Sequence, residues 1–465
     1  MNQHFKPNSV AGRDVAAHLH SQTNPKRFEE KGPLIVTRGE GIRVFDDAGK
    51  PYIDAMAGLW CASLGFSNAR LAAAATKQYN ELGFYHTFFN RTHGPATDLA
   101  EKLVGLTGMT GGKAYFATSG SEANETMVKL AWIYHTVQGK PTKRKVIARD
   151  RAFHGSTIAA ASMCGLTFMH REFGLPIQGF LHTLCPDPYR GMFAGEREDQ
   201  FVGRLAGELE KLILREGPDT IAAFIAEPIN AGGGIIVPPK SYFAKVQKVL
   251  DKYDILCLGD EIVCGFGRTG NWFGKETVGM RPDMMALAKG LSSSYFPISA
   301  VVLAPKIYDA VNAFNKQGGS FGHGFTNSGH PVGVAVALET IKIYEEMDVV
   351  AHVRKMGARL HSHFEAMAKR FPMIGDVRGS GLMLGIELVA DRETRTPFDP
   401  SLQAGLAFDQ LAYENGLIGR CMGDTLGFSP PLIVTEKDVD EIAERCEKSL
   451  KQLQGHLSKA SDRKV

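Results

Sequence analysis

From Lys113 to Ala288 the chain alternates between two patterns. Short continuous apolar runs are KAYFATSG from Lys113, KVIAR at Lys145–Arg149, TIAAFI at Thr220–Ile225, ILCLGDEI from Ile255 and MMALA at Met284–Ala288. Between them lie stretches whose apolar residues recur at helical spacing, such as Glu125–Val137 and Ser241–Tyr253. Continuous runs suit strands buried on both faces. Their alternation with helices predicts an α/β fold with a mainly parallel sheet covered by helices.

The flanks read differently. Residues 1 to about 30 are polar and suit a surface arm or short helix. Ile42–Ile53 alternates around an Asp-Asp-Ala-Gly turn and predicts a hairpin. Arg70–Leu82 has helical spacing, and Phe84–Phe89 (FYHTFF) is dense in aromatics, which suits a core or a subunit interface. After Val301 the sheet pattern fades. Helices are predicted at Val332–Glu346, Arg354–Arg370, Leu402–Glu414 and Glu436–Leu453, with a hairpin-like alternation at Ile374–Val389. These pieces suit a smaller α+β domain. The expected division is an N-terminal arm and segment (1–75), a large domain (76–330) and a small C-terminal domain (331–465).

Composition narrows the classes. The chain has 465 residues, 44% hydrophobic and 22% charged, which is globular and too long for one ordinary core. With 53 basic and 50 acidic residues it carries no field suited to nucleic acid or a membrane surface. Seven scattered cysteines without a CxxC pair suit reduced thiols in a cytoplasmic protein. No His/Cys/carboxylate grouping suggests a metal. The polar N-terminus and the lack of a long apolar run predict no signal peptide and no membrane span.

The candidate chemistry stands at the ends of the apolar runs. In an open parallel sheet, ligands bind beyond the carboxyl ends of the strands. Ser119–Ser121, Glu227, Asp260 and Lys289 all fall at or just after such ends. The turn at Gly120 and Ser121 opens a helix, which makes an anion site from free N–H groups, or simply a capped helix start. A Lys ending a buried run either snorkels to water or works as an amine nucleophile toward carbonyls. Lys289 lies 29 residues after Asp260, one strand–helix–strand step away. An amine, a carboxylate for a ring nitrogen, a phosphate cup and the flat face of Phe153 together suit pyridoxal 5′-phosphate.

The motifs SGSEAN (Ser119–Asn124), FHGST (Phe153–Thr157), EPI (Glu227–Ile229), GDEIVCGFGRTG (Gly259–Gly270), AKG (Ala288–Gly290) and HGFTNSGHP (His323–Pro331) follow in order. In this set the chain resembles the class III, omega-type aminotransferases, pyridoxal-phosphate enzymes of fold type I. The resemblance implies a seven-stranded mixed sheet and roles for individual residues. Lys289 would form the Schiff base and shuttle the proton, and Asp260 would hold the pyridinium nitrogen. Gly120 and Ser121 would hold the phosphate, with Thr326 as a phosphate ligand donated by a partner subunit; Ser119 and Phe325 would join the cofactor-binding set. Phe153 and Ile262 would cover the two ring faces. Glu227 would act near O3′, and His154 would join the cofactor set or serve structure alone. Trp60, Phe88, Phe89, Phe153 and Gly232 would wall the substrate pocket, Phe88 and Phe89 from the neighbouring chain.

Within the family, DAMAGLWC and GLIGRCMGDTLGFSPPL look closest to the amine or β-alanine:pyruvate subgroup. Arg420 in that stretch matches its carboxylate-switch arginine, on a Gly-rich and loose backbone; the alternative is a surface Arg paired with Asp424. Two residues depart from many relatives, Phe153 and Asn327, each replacing a Tyr and so bearing on substrate range. The implied activity is ping-pong transfer of an amino group from an amine or omega-amino acid to pyruvate or a similar keto acid, in a homodimer or tetramer. A decarboxylating transaminase, an aminomutase or a non-enzymatic protein of the same fold are the alternatives.

Overall fold

The computed structural model describes residues 5–315 and 320–462. Its centre is a seven-stranded sheet. After three strands near the N-terminus, β1 (Val36–Glu40), β2 (Arg43–Asp46) and β3 (Pro51–Asp54), come β4 (Lys113–Ala117), β5 (Lys145–Arg149), β6 (Phe180–Thr183), β7 (Ile221–Ala226), β8 (Leu256–Asp260), β9 (Met284–Leu287) and β10 (Ser299–Leu303). The spatial order is β4-β10-β9-β8-β7-β5-β6. Every described neighbour pair is parallel except the two made by β10, which is antiparallel to both β4 and β9.

Both faces of this sheet are dry. Ala223 and Ile225 of β7 and Leu256 and Leu258 of β8 pack with Met127, Leu130 and Ala131 of the helix Gly120–Val137. Phe224 and Ala226 of β7 and Cys257 of β8 point the other way, onto Phe201 and Leu205 of the helix Glu198–Glu216 and Phe243 and Val246 of Tyr242–Lys252. Each Ile or Phe so buried contributes about 1.5–3 kcal/mol. This two-sided burial explains why the runs are apolar throughout. It leaves only the strand ends for polar chemistry. All seven cysteines are free.

The C-terminal segment supplies β11 (Ile374–Ser380), β12 (Met383–Leu388), β13 (Leu417–Ile418), β14 (Arg420–Met422) and β15 (Thr425–Phe428). A four-stranded sheet has the order β11-β12-β15-β14. The tiny strand β13 pairs in parallel with β3, so the N-terminal and C-terminal segments share a sheet.

The expected hairpins at Ile42–Ile53 and Ile374–Val389 are β2–β3 and β11–β12. Several details differ. The N-terminal arm forms two short helices, Val10–Ala17 and Pro25–Lys31. The helix expected from Arg354 starts at Val349, because Asp348 accepts a hydrogen bond from the Ala351 N–H and caps it. Strand β10 lies where the sheet pattern was expected to fade; its five residues are buried, and its antiparallel course follows from a short connection after Lys289. The backbone around Arg420 is strand rather than loose loop: Arg420 pairs with Gly427 on β14.

Candidate active site

The carboxyl ends of β4, β5, β7, β8 and β9 meet at one cleft of about 180 Å³. It is walled by Gly120, Ser121, Phe153, His154, Glu227 and Asp260, with Ile262 and Lys289 completing it. Eight residues singled out from sequence thus share one cavity, contributed by five separate strand ends.

Each is placed by local chemistry. Beyond β4, Ser119 caps the helix Gly120–Val137: its Oγ accepts the Glu122 N–H at 3.2 Å, and Glu122 Oε2 accepts the Ser119 and Thr118 N–H groups at 3.1 and 2.7 Å. The Ser119 hydroxyl is therefore spent on the cap, while Gly120 and Ser121 face the cleft. A Cβ at Gly120 would stand 2.7 Å from Ile262 Cδ1, so only glycine lets the helix start approach this wall. Such a start offers free N–H groups and the positive end of the helix dipole, which suit a phosphate.

Asp260 ends β8 and is buried. Three donors converge on it. His154 Nδ1 and Asn124 Nδ2 both lie 2.8 Å from Oδ2, and the Ile262 N–H donates to Oδ1 at 3.1 Å. Asn124 also donates to the His154 carbonyl at 2.7 Å, which ties the two residues together at Asp260. His154 Nε2 and Asn124 Oδ1 are buried without a protein partner.

Glu227 uses both oxygens locally, accepting from Phe153 N–H and Ala231 N–H at 3.0 Å each. It pins the Phe153 backbone to the β7 end. Burial pushes its carboxyl above the ordinary range, and His154 opposes this. The fully buried Arg149 donates to the Glu227 carbonyl from below.

Lys289 opens a 3₁₀ turn after β9 with φ +47°, a region that costs about 1–3 kcal/mol for a residue with a side chain. Its Nζ has no hydrogen-bond or ion-pair partner among the described residues. Burial pushes the ammonium below its ordinary range, the Asp260 carboxylate opposes that, and Arg420 adds to it. A half-buried, unpartnered amine on a strained backbone is suited to bonding a carbonyl.

Other expected residues fall elsewhere. Trp60, also at positive φ (+65°), is buried in the cluster that holds Ile229, Ala231 and Met383. Asp54 shapes its turn by accepting the Met56 and Gly58 N–H groups at 2.9 and 3.0 Å. Gly232 backs Phe153: a Cβ there would lie 3.3 Å from Phe153 Cβ. Arg420 is half-buried on β14, close enough to depress Lys289. Asp424, its alternative partner by sequence, accepts instead from the Gly405 N–H at 2.9 Å.

Phe88, Phe89, Phe325 and Thr326 do not line this chain's cleft. Phe88 lies across Gly324, Thr87 Oγ1 donates to the Ser328 carbonyl at 3.2 Å, and Phe89 is 76% exposed. Phe88 and Phe325 are half-buried, while Phe89 and Thr326 are exposed, as are Phe84 and Tyr85.

Sequence reasoning assigned no role to Asn124 or Arg149, whose bonding to Asp260 and Glu227 only the fold reveals. It also missed Asp409, on the helix Ala404–Glu414 beside β14. Burial pushes this carboxyl up to about 6, with Arg27 and Arg420 opposing. The native state then holds a proton that the unfolded chain, near 3.8, has released. Stability from this group is full at low pH and is lost as pH rises through about 6. Asp409→Asn should therefore flatten part of the fall in Tm between acid and neutral pH. Parallel Tm curves for the two proteins would remove the effect.

Pyridoxal phosphate fits these residues: an unpartnered amine, a carboxylate at a strand end, a glycine-lined helix start and an aromatic face meet in one cleft. The comparisons agree. The chain matches the family model for aminotransferase class-III over residues 26–450. It is 46% identical over 433 residues to gamma aminobutyrate transaminase 3, chloroplastic, from Solanum lycopersicum, covering 93% of this chain and 83% of that protein. It is 48% identical to the omega transaminase from Pseudomonas jessenii solved in complex with PMP, with TM-score 0.95 over 97% of this chain and 99% of that one. A thermostable omega transaminase variant engineered for asymmetric synthesis of enantiopure bulky amines is 48% identical. It gives TM-score 0.94 over 96% of this chain and 99% of that chain, its three changes replacing a tryptophan, a phenylalanine and an arginine.

Fold and relatives together define a pyridoxal-phosphate enzyme of fold type I that transfers amino groups. The chain belongs to the class III aminotransferases. Its substrates are a small amine and a keto acid. No helix among the described residues is long and apolar enough to cross a membrane.

Proposed function

We propose that this enzyme moves an amino group from an omega-amino acid or a simple amine to pyruvate, using Lys289 and Asp260 as its catalytic residues. The observation that supports this most is the convergence of Lys289, Asp260, Glu227, Phe153, Gly120 and Ser121 on one cleft, with Arg420 on the C-terminal sheet near enough to act on Lys289.

When bound, pyridoxal phosphate supplies an electron sink and carries the amino group between the two substrates. Lys289 would hold it covalently and move the proton between the substrate carbon and the cofactor carbon. Asp260 would keep a proton on the ring nitrogen, itself oriented by His154 and Asn124. Phe153 and Ile262 would enclose the ring and exclude water. Gly120 and Ser121 would bind the phosphate at the helix start.

Phe88, Phe89, Phe325 and Thr326 would complete the site of a second subunit. The exposed aromatics Phe84, Tyr85 and Phe89 support a homodimer, because large apolar side chains left in water favour a covering partner. The same reading divides the chain near residues 75 and 330 and places the enzyme in the cytoplasm.

Arg420 would grip the acceptor's carboxylate. The tryptophan and phenylalanine altered in the engineered relative are spaced along its chain as Trp60 and Phe88 are here, and its arginine falls near the position of Arg420. This supports all three as pocket residues. The names of the plant relatives favour an omega-amino acid donor. Arg420→Ala should raise the apparent KM for pyruvate strongly, by loss of a charge-assisted pair worth about 1.5–3 kcal/mol. An arylalkyl amine lacking a carboxylate should react nearly as before. Stopped-flow traces of the separate half-reactions decide it: equal loss for both substrates, or none for pyruvate, removes Arg420 from the pocket.

A further inference from the structure

The N-terminal arm carries a donor cluster outside the cleft. The helix Val10–Ala17 ends at His18, and the chain turns back through Asn24 into the helix Pro25–Lys31. Asp14 and His18, four residues apart, stand on one face of the first helix. The turn then brings His20 to the same carboxylate. Asp14 Oδ1 lies 3.0 Å from His18 Nδ1, and Oδ2 lies 2.7 Å from His20 Nε2. The ligand atoms of all three residues lie within 4.8 Å of one another. The His20 ring is fixed between the Phe28 ring at 4.2 Å and the His18 ring at 4.3 Å. His18 and His20, though not Asp14, border a recess of about 280 Å³ that also touches Thr23 and Glu29.

We propose that Asp14, His18 and His20 bind one divalent first-row transition metal, with Zn²⁺ the best match. Two imidazoles and one carboxylate suit Zn²⁺, Ni²⁺ or Cu²⁺, whereas Mg²⁺ and Ca²⁺ take oxygen alone. Three protein ligands with water in the fourth position make a familiar zinc set. Metal–ligand bonds of about 2.0–2.2 Å would require the N···O distances of 3.0 and 2.7 Å to open slightly and the donor atoms, all within 4.8 Å of one another, to draw in around the ion. Without metal each ring hydrogen-bonds one oxygen of the Asp14 carboxylate; a single dication would instead take one donor atom from each of the three side chains at once. Donors scattered through the sequence gave no reason to expect a metal; the D-x-x-x-H-x-H spacing gains meaning only from the turn. Bound metal would tie the two arm helices together. That arm lies beside the C-terminal sheet, since Arg27 acts on Asp409 next to β14.

The test uses untagged holoenzyme stripped with a chelator and titrated calorimetrically with ZnCl₂ and, in parallel, with CoCl₂ followed by visible absorption. One metal per chain is expected, with the intense visible bands of low-coordinate Co²⁺. His18→Gln, whose side chain is exposed and outside any core, and Asp14→Asn should each weaken Zn²⁺ affinity by roughly tenfold or more. Zn²⁺ should also slow tryptic cleavage at Lys26 and Arg27 in the parent but not in these variants. No binding by the parent, or equal affinity and stoichiometry in parent and both variants, overturns the site. Retained cofactor absorbance in each variant shows that the fold is intact.

Discussion

Lys289→Ala should abolish turnover while leaving the chain folded and as stable as the parent or more so. The physical reasons act on separate quantities. The side chain supplies the amine that would hold the cofactor and the base that moves the proton. General acid–base catalysis alone contributes roughly 10²–10⁴-fold, and the covalent role adds to it. Stability should not suffer, because Nζ makes no hydrogen bond or ion pair and its burial disfavours the charge. The left-handed backbone at φ +47° is strained for Ala as for Lys, so no conformational term separates them. Steady-state rates, circular dichroism and Tm measured on one preparation separate the outcomes. Substantial residual activity would dismiss Lys289 as the reactive amine, and an unfolded variant would make it a structural residue.

Asp260→Asn should lower kcat by about 10²–10³-fold or more, the scale reached when one preorganised electrostatic partner is lost. A neutral amide cannot balance a protonated ring nitrogen. The structure adds a second cost that sequence does not suggest. Three N–H donors converge on the two carboxylate oxygens, from His154, Asn124 and Ile262. An amide must turn its NH₂ toward at least one of them. Leaving a buried donor unpaired costs about 1–3 kcal/mol, so Tm should fall as well. His154 can relieve part of this by changing tautomer, whereas Asn124 cannot. Near-parent rates in this variant would reject Asp260 as the ring partner. Unchanged rates with a lower Tm would assign it to structure alone.

The sequence by itself determined where chemistry can stand. Runs apolar on both faces must lie in a covered sheet, so the first polar residue beyond each run is forced to the strand end. Glu227 after β7, Asp260 closing β8 and Lys289 after β9 are legible for that reason, as is the glycine–serine turn after β4. Local alternation likewise determined the hairpins β2–β3 and β11–β12. Strand β10 escaped because its run follows a loop of small residues with no helix before it, and direction is not written in hydrophobicity.

Tertiary structure decided what each polar group does. Ser119 and Ser121 look alike in sequence, yet the Ser119 hydroxyl caps the helix by accepting the Glu122 N–H, whereas Ser121, at the cleft, accepts the Ser156 N–H. Asn124 and Arg149 acquire their tasks only because helix and strand bring them to Asp260 and Glu227, across 136 and 78 residues. Arg420 reads as part of a loose glycine stretch, but pairing with β15 makes its backbone a fixed edge and leaves movement to the side chain. The FYHTFF cluster shows the same division. Its composition announces a buried surface, while only the fold shows that this chain's own cleft does not use Phe88 and Phe89. Period and composition are local quantities that a chain carries with it; hydrogen-bond partners and burial depend on residues far apart, and folding alone brings those together.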